Sequence, residues 1–242
     1  MKRLLLIFVT FVSCGQERNV RLTDKIDPDI VIVNIEEGDR DFIGKVLLTI
    51  DSCKPKLIAI DAWFVDEKDN FQDSVLMTAL KIVDNDILGY TLDSLGLPLK
   101  SHDKFRNYVS AEGLAVLDNV DGISSHITPI NTIDNEEHEL FPLVIVKKWR
   151  PDFVNRFDKD ETIPIKFTRT IDQYVHFNGS SLTTRENLKD IEDKIVLLGY
   201  LGPSNEDKHF TPVRQVIKHK HGDPDTYGVV VIANEIRTIL ND

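Results

Sequence analysis

The hydrophobic positions fall into short apolar runs separated by amphipathic stretches, starting with residues 30–35 (IVIVNI). That run is β-branched and apolar on both faces, the pattern of a strand buried within a parallel sheet. Residues 41–52 place Phe42, Val46 and Ile50 at helical spacing, and residues 57–60 (LIAI) form a second buried strand ending at Asp61. A helix over 74–83 and a strand over 87–91 continue the alternation. Strands and helices in this order predict right-handed crossovers and a parallel sheet covered on both faces.

The middle of the chain is less regular. Residues 111–120 and 123–130 predict two strands paired about the turn dipeptide Asp121-Gly122. Residues 136–149 have the spacing of an amphipathic helix, with Leu140, Leu143, Val144 and Trp149 on its apolar side. Lys147, Lys148 and Arg150 suit its negative C-terminal end, and Pro151 stops it. Strands follow over 162–168 and 174–177, then a helix over 182–190 capped by Thr183 or Thr184. Residues 194–199 are the clearest core strand, and 227–240 form a last helix, or a short strand and then a helix. The expected fold class is α/β: a mostly parallel central sheet flanked by helices on both faces, with an irregular, mixed or antiparallel middle portion.

Charge narrows the choice of partners. The 242 residues carry a formal net charge of −11, which argues against nucleic acid, whose phosphates need a cationic surface. The best candidate for a basic patch, residues 214–221 (RQVIKHKH), lies beside Asp223 and Asp225 and reads as a solvated loop. The N-terminus changes the picture more. Lys2 and Arg3 precede an apolar core over 4–12, and Ser13 stands directly before Cys14. This layout resembles a bacterial lipoprotein signal, with cleavage after residue 13 and a lipid on Cys14. The apolar run is about half of the roughly 20 residues a membrane-spanning helix needs. The expected organisation is therefore a signal over 1–13, a polar tether over 14–26 and one domain over 27–242, anchored to the membrane at the periplasmic or cell surface. Cys53, with no motif around it, reads as a packing residue.

The final third carries a family resemblance. The run Asp193-Lys194-Ile195-Val196-Leu197-Leu198-Gly199-Tyr200, then Asp207 with Thr211-Pro212, then Tyr227-Gly228-Val229 and Ala233-Asn234, resembles the end of a type-2 CHASE domain. The strand at 30–35 and the run Pro55-Lys56-Leu57-Ile58-Ala59-Ile60-Asp61-Ala62-Trp63-Phe64 are similar to earlier parts of that family. The resemblance implies an extracellular sensory domain, not an enzyme, that binds a small ligand or a membrane signalling protein. Ile232 stands where the family usually has a histidine. Family members usually continue into membrane helices and an output module, so a stand-alone sensory form is expected.

Ligands of an open parallel sheet bind beyond the carboxyl ends of its strands. The candidates there are Glu36 and Asp61, together with Gly199, Tyr200, Asp207, Thr211, Tyr227 and Asn234. A carboxylate set of this kind could hold a hard cation, but capping of the next helix accounts for Asp39 and Asp41 more simply. His219 and His221 lie in a polar loop and read as solvated. No metal and no cofactor is assigned. Residues 199–202 (GYLG) lack the glycine triplet of a dinucleotide fingerprint and read as a tight turn. Asp207 and His209 are within reach of each other for proton transfer, yet no serine or cysteine sits in a nucleophile elbow. Asn234, polar in an apolar helix, is expected to bond across to a loop. The alternative to a sensory domain is an acidic-pocket, metal-binding hydrolase in which Asp61, Glu36 and Asp207 converge.

Overall fold

The computed structural model describes residues 20–182, 187–213, 222–224 and 226–241. The signal, Cys14, the basic stretch 214–221 and Thr183 and Thr184 lie outside the described residues. In chain order the first half comprises β1 (Ile30–Asn34), α1 (Arg40–Asp51), β2 (Leu57–Ile60), α2 (Asn70–Ile82), β3 (Asp86–Leu92), β4 (Pro98–Leu99), α3 (Asp103–Arg106) and β5 (Ala111–Leu114). Then come β6 (Asp118–Val120), β7 (Ile123–Ile127), β8 (Ile130–Ile133), β9 (Glu136–Glu139) and α4 (Phe141–Trp149). The chain closes with β10 (Ile163–Pro164), β11 (Val175–Asn178), β12 (Ile195–Gly199), β13 (Lys208–His209), β14 (Thr226–Tyr227) and α5 (Gly228–Leu240).

The main sheet has the order β11-β1-β12-β2-β3, with β4 and β5 both pairing β3. All of these pairings are parallel except that of the short β4. Strands buried on both sides alternate their side chains between two cores. Ile30, Ile32, Leu57, Ala59, Ile195 and Leu197 meet α4 and α5. Val31, Val33, Ile58, Ile60, Val196 and Leu198 meet α1 and α2. The fold class is thus the one expected, with helices on both faces and small antiparallel sheets in the middle.

The middle differs from the expectation in three places, each with a local cause. Asp121 and Gly122 do turn the chain, both at positive φ (53° and 77°), but they join only β6 to β7. The first part of that expected hairpin, β5, instead extends the main sheet beside β3. The expected helix over 136–149 begins only at Phe141, because Asp134 and Asn135 take φ of 51° and 63° and fold β9 back on β8. Two consecutive left-handed residues make the tight turn a hairpin needs, and Pro142 in the first turn of α4 marks the true start. The expected strand over 162–168 is reduced to β10, and the backbone beyond it pairs with side chains of α5. Only residues 187–190 of the expected helix over 182–190 are described beyond Leu182, and they form a 3-10 turn.

Helix α4 lies so close to β5 that Gly113 has no room for a side chain: a Cβ there would sit 2.5 Å from the Cα of Phe141. Because the obstacle is backbone, it cannot rotate away. Gly113→Ala is expected to cost about 1–3 kcal/mol in urea denaturation, the usual range for overpacking; an unchanged midpoint would show that α4 shifts freely.

Candidate functional site

The carboxyl ends of the parallel strands are tied together by asparagines. Asn34, the last residue of β1, donates through Nδ2 to Oδ1 of Asn178 on β11 at 3.0 Å. Its Oδ1 accepts from the backbone N–H of Glu36 at 2.9 Å and of Leu201 at 2.8 Å. Glu36, at φ 54°, turns its carboxylate away along this rim and accepts from the N–H and Oγ of Ser180 at 2.9 and 3.1 Å. Asp39 caps α1 by accepting from Phe42 N–H at 2.9 Å. Glu36 and Asp39 therefore build loops.

Asp61 is placed differently. It follows β2 and donates its backbone N–H to Leu198 at 2.8 Å, so its side chain points to the α4–α5 face, as Leu57 and Ala59 do. Its neighbours across the sheet are Gly89 on β3 and Gly199 on β12. A Cβ on Gly199 would lie 3.5 Å from that of Asp61 and 2.9 Å from that of Val229 on α5. Glycine at 199 thus lets the first turn of α5 approach the strand ends beside Asp61.

The loop after β12 folds back onto that first turn. The ring of Tyr200 covers Gly202, where a Cβ would meet it at 2.1 Å, and its hydroxyl accepts from Ser204 N–H at 3.2 Å. Residues 199–202 form the tight turn expected of them. Strand β13 then pairs with β14 immediately before α5, and the hydroxyls of Thr211 and Thr226 share a hydrogen bond of 2.9 Å. Asp207 accepts from Gly228 N–H through its carbonyl at 2.9 Å. Its Oδ1 lies 2.6 Å from where a Cβ of residue 228 would be, so the carboxylate sits against the positive end of α5. His209 Nε2 is 3.7 Å from the same Oδ1. Tyr227 lies beneath Lys208 Nζ, 5.1 Å from the ring centroid, and with Arg169, Ile171, Thr226 and Val230 it lines a cavity of about 120 Å³.

Burial, reinforced by the nearby Asp207 carboxylate, pushes the Asp61 carboxyl up to about 7. Asp61 is half-buried, and the charge acting on it is of its own sign. The structure adds a residue that sequence reasoning passed over. Glu235 on α5 is 1% exposed and its Oε1 has no hydrogen-bond partner. Burial first, then Asp61 and Asp118, hold its carboxyl well above the ordinary range. The available signal was an acidic side chain inside the otherwise apolar run VVVIANEI. Asp118, on β6, had no such signal; its Oδ2 accepts from the Thr128 hydroxyl at 2.8 Å.

Of the sequence-predicted residues, Asp61, Gly199, Asp207 and Tyr227 gather around the start of α5, with Thr211 and Tyr200 shaping the loop over it. Asn234 does bond across to a loop. Its Oδ1 accepts from Thr168 and Arg169 N–H at 2.9 and 3.1 Å, and its Nδ2 donates to the carbonyls of Arg169 and Val230 at 3.0 and 2.9 Å. Those bonds commit Asn234 to the fold. Among the described residues no group of three or more His, Cys, Asp or Glu could hold a metal ion, and no helix is long and apolar enough to cross a membrane.

The model of the CHASE2 domain family matches residues 9–242. No curated protein and no solved structure matches the chain. Ile232, in the place of the expected histidine, is buried against the α4–α5 core. CHASE2 domains are extracellular sensory domains without catalytic function. With nearly its whole length matched, and with the parallel sheet and closing helix arranged as described, the chain belongs to the CHASE2 family.

Proposed function

We propose that this chain is an extracytoplasmic sensory domain, tethered by a lipid on Cys14, that receives a small ligand or a membrane signalling partner at the carboxyl end of its sheet. The observation that carries this reading is Asp61, an acidic side chain set between two glycines at the strand ends with Asp207 as its charged neighbour. Packing alone gives no reason for a carboxyl there, since an apolar residue would cost less. A recognition site gives one. The hydrolase alternative would need Glu36 beside Asp61 and Asp207, and Glu36 is engaged with Ser180.

Two measurements test the proposal. Expressed as the full chain in bacteria fed a labelled fatty acid, the protein should take up label, and Cys14→Ala should abolish it; an unlabelled wild type sinks the tether. A thermal-shift screen of small molecules should then find one that raises the midpoint, because binding to the folded state stabilises it by mass action. Asp61→Asn should erase that shift. A shift that survives this substitution places the ligand elsewhere.

A further inference from the structure

The first described residues of the chain form one wall of a cationic cleft. Residues 20–23 run beside 167–168: Val20 bridges Phe167, and the N–H groups of Arg21 and Thr23 donate to the carbonyls of Phe167 and Thr168 at 3.1 and 2.9 Å. This pairing brings Arg21, Leu22, Asp24 and Lys25 to the same cleft as Thr168 and Arg169, with a volume of about 530 Å³. Arg21 and Lys25 are exposed. Arg169 is fixed at the wall, with Nε 3.2 Å from the buried Asp27 carboxylate and Nη1 donating to the Thr168 hydroxyl at 3.0 Å. Asn234 holds its backbone N–H and C=O. Leu22 and Ile26 add apolar surface to the same stretch, at 38% and 52% exposure. Arg169 joins Arg21 and Lys25 only through the pairing of 20–23 with 167–168, so no run of basic residues announces the set in the sequence.

We infer that this cleft seats on the phosphate headgroups of the membrane that carries the Cys14 lipid. Arg21, Lys25 and Arg169 contact the phosphates, and Leu22 and Ile26 enter the interface between headgroups and acyl chains. The inference rests on the tethered reading of Cys14 given above. Chain length supplies the first argument. Arg21 is seven residues from Cys14, so the span between them cannot exceed about 25 Å whatever path it takes. That confines the cleft near the bilayer surface, where headgroups are at high effective concentration and weak contacts suffice. Charge supplies the second. An anionic surface repels a chain of net charge −11 as a whole, yet attracts Lys and Arg that come within a Debye length of it. It therefore favours the orientation that turns this cleft toward the lipid. Composition supplies the third, because basic and apolar residues alternate as Arg21-Leu22 and Lys25-Ile26, as in segments that lie in a membrane interface.

The full chain, purified as the fatty-acid-labelled lipoprotein, should be placed in vesicles of phosphatidylcholine alone or mixed with phosphatidylglycerol and followed by hydrogen exchange. Amides of residues 21–26 and 167–170 should exchange more slowly in the anionic vesicles by about fivefold or more, the contribution of one basic residue near such a surface. Raising sodium chloride to about 0.5 M should shrink that protection. Arg21→Gln combined with Lys25→Gln should abolish it while leaving the thermal midpoint and the lipid label at wild-type values, since both side chains are exposed. Equal exchange in the two kinds of vesicle overturns the inference, as does a double variant protected like the wild type. Protection produced equally by inorganic phosphate in phosphatidylcholine vesicles also overturns it, and makes the cleft a site for free phosphate. A wild type without label removes the anchor itself, whereas a labelled wild type without protection removes only this seat.

Discussion

Arg237→Met is expected to lower the unfolding free energy by about 3–5 kcal/mol, the cost of leaving one member of a buried ion pair without its partner. Arg237 donates from Nε to Asp27 Oδ2 at 2.8 Å and from Nη2 to Asp27 Oδ1 and to Asp29 Oδ2, the latter at 2.9 Å. Asp27 also accepts from the N–H of Asp29 and Ile30 at 2.9 and 3.0 Å, which holds the entry to β1. Arg169 Nε stands 3.2 Å from the same carboxylate, and the side chain of Asp27 is fully buried. Removing Arg237 would leave that carboxylate, where water cannot reach it, with Arg169 as its one remaining cation among the described residues. The double variant Asp27→Leu with Arg237→Met should recover much of the loss, since replacing both partners removes the desolvation problem with the attraction. Urea denaturation of the two single variants and the double variant measures this as a cycle. A loss under about 1 kcal/mol in each single variant would show that the region rearranges and admits water.

Asp73→Asn is the second large effect, about 3 kcal/mol at neutral pH, and it should fade in acid. Asp73 accepts from Arg40 Nη1 at 2.5 Å, Lys104 Nζ at 2.6 Å and Lys68 N–H at 2.9 Å. The Arg40 guanidinium in turn lies against both the Phe105 and the Phe64 rings, with centroids at 5.1 and 5.6 Å. Burial alone would raise this carboxyl, but the hydrogen bonds from Lys104, Arg40 and Lys68 win and hold it down to about 2. A depressed carboxyl stabilises the fold above its unfolded value near 4, and that contribution is lost as pH falls from about 4 through about 2. The wild type and Asp73→Asn should therefore differ most at pH 5–7 and converge toward pH 2. Curves that stay parallel down to pH 2 would mean that Asp73 is not held by its charge.

The stability lost in acid through Asp73 and that lost toward neutral pH through Asp61 and Asp86, raised by burial to about 7 and about 6, run in opposite directions. Together they place the pH of greatest stability below neutrality, which a urea midpoint measured between pH 3 and pH 8 reads directly.

The parallel frame was legible because β1, β2 and β12 are runs apolar on both faces, and only a sheet covered twice buries such runs. Their order in the sheet was not legible, since β12 enters between β1 and β2 from the far end of the chain. The segment 136–149 satisfies a helical period over its whole length; what divides it is the left-handed pair Asp134-Asn135, and asparagine and aspartate signal that state only weakly. Helix α2 starts at Asn70, earlier than its apolar spacing indicates, because Asp69 caps it by accepting from Gln72 N–H at 2.8 Å. In the site, Asp61 stood out as a charge directly after a buried strand. Glu235 was passed over, although it stands in a mostly apolar run. Its burial comes from the packing of α5 against the sheet, α4 and the backbone after β10, which is a property of the assembled fold.

Helix α5 also has the geometry of an unequal balance. Asn234, held by its four hydrogen bonds, is its best-fixed point. At 1.5 Å per residue, Gly228 beside Asp207 lies about 9 Å to one side of Asn234 and Arg237 about 4.5 Å to the other. A tilt about Asn234 would move the Asp207 end about twice as far as the Arg237 end. The long arm is at the strand ends, and the short arm holds the residue that grips the start of β1. A small displacement at Asp207 thus reaches Asp27 halved in amplitude and reversed in direction.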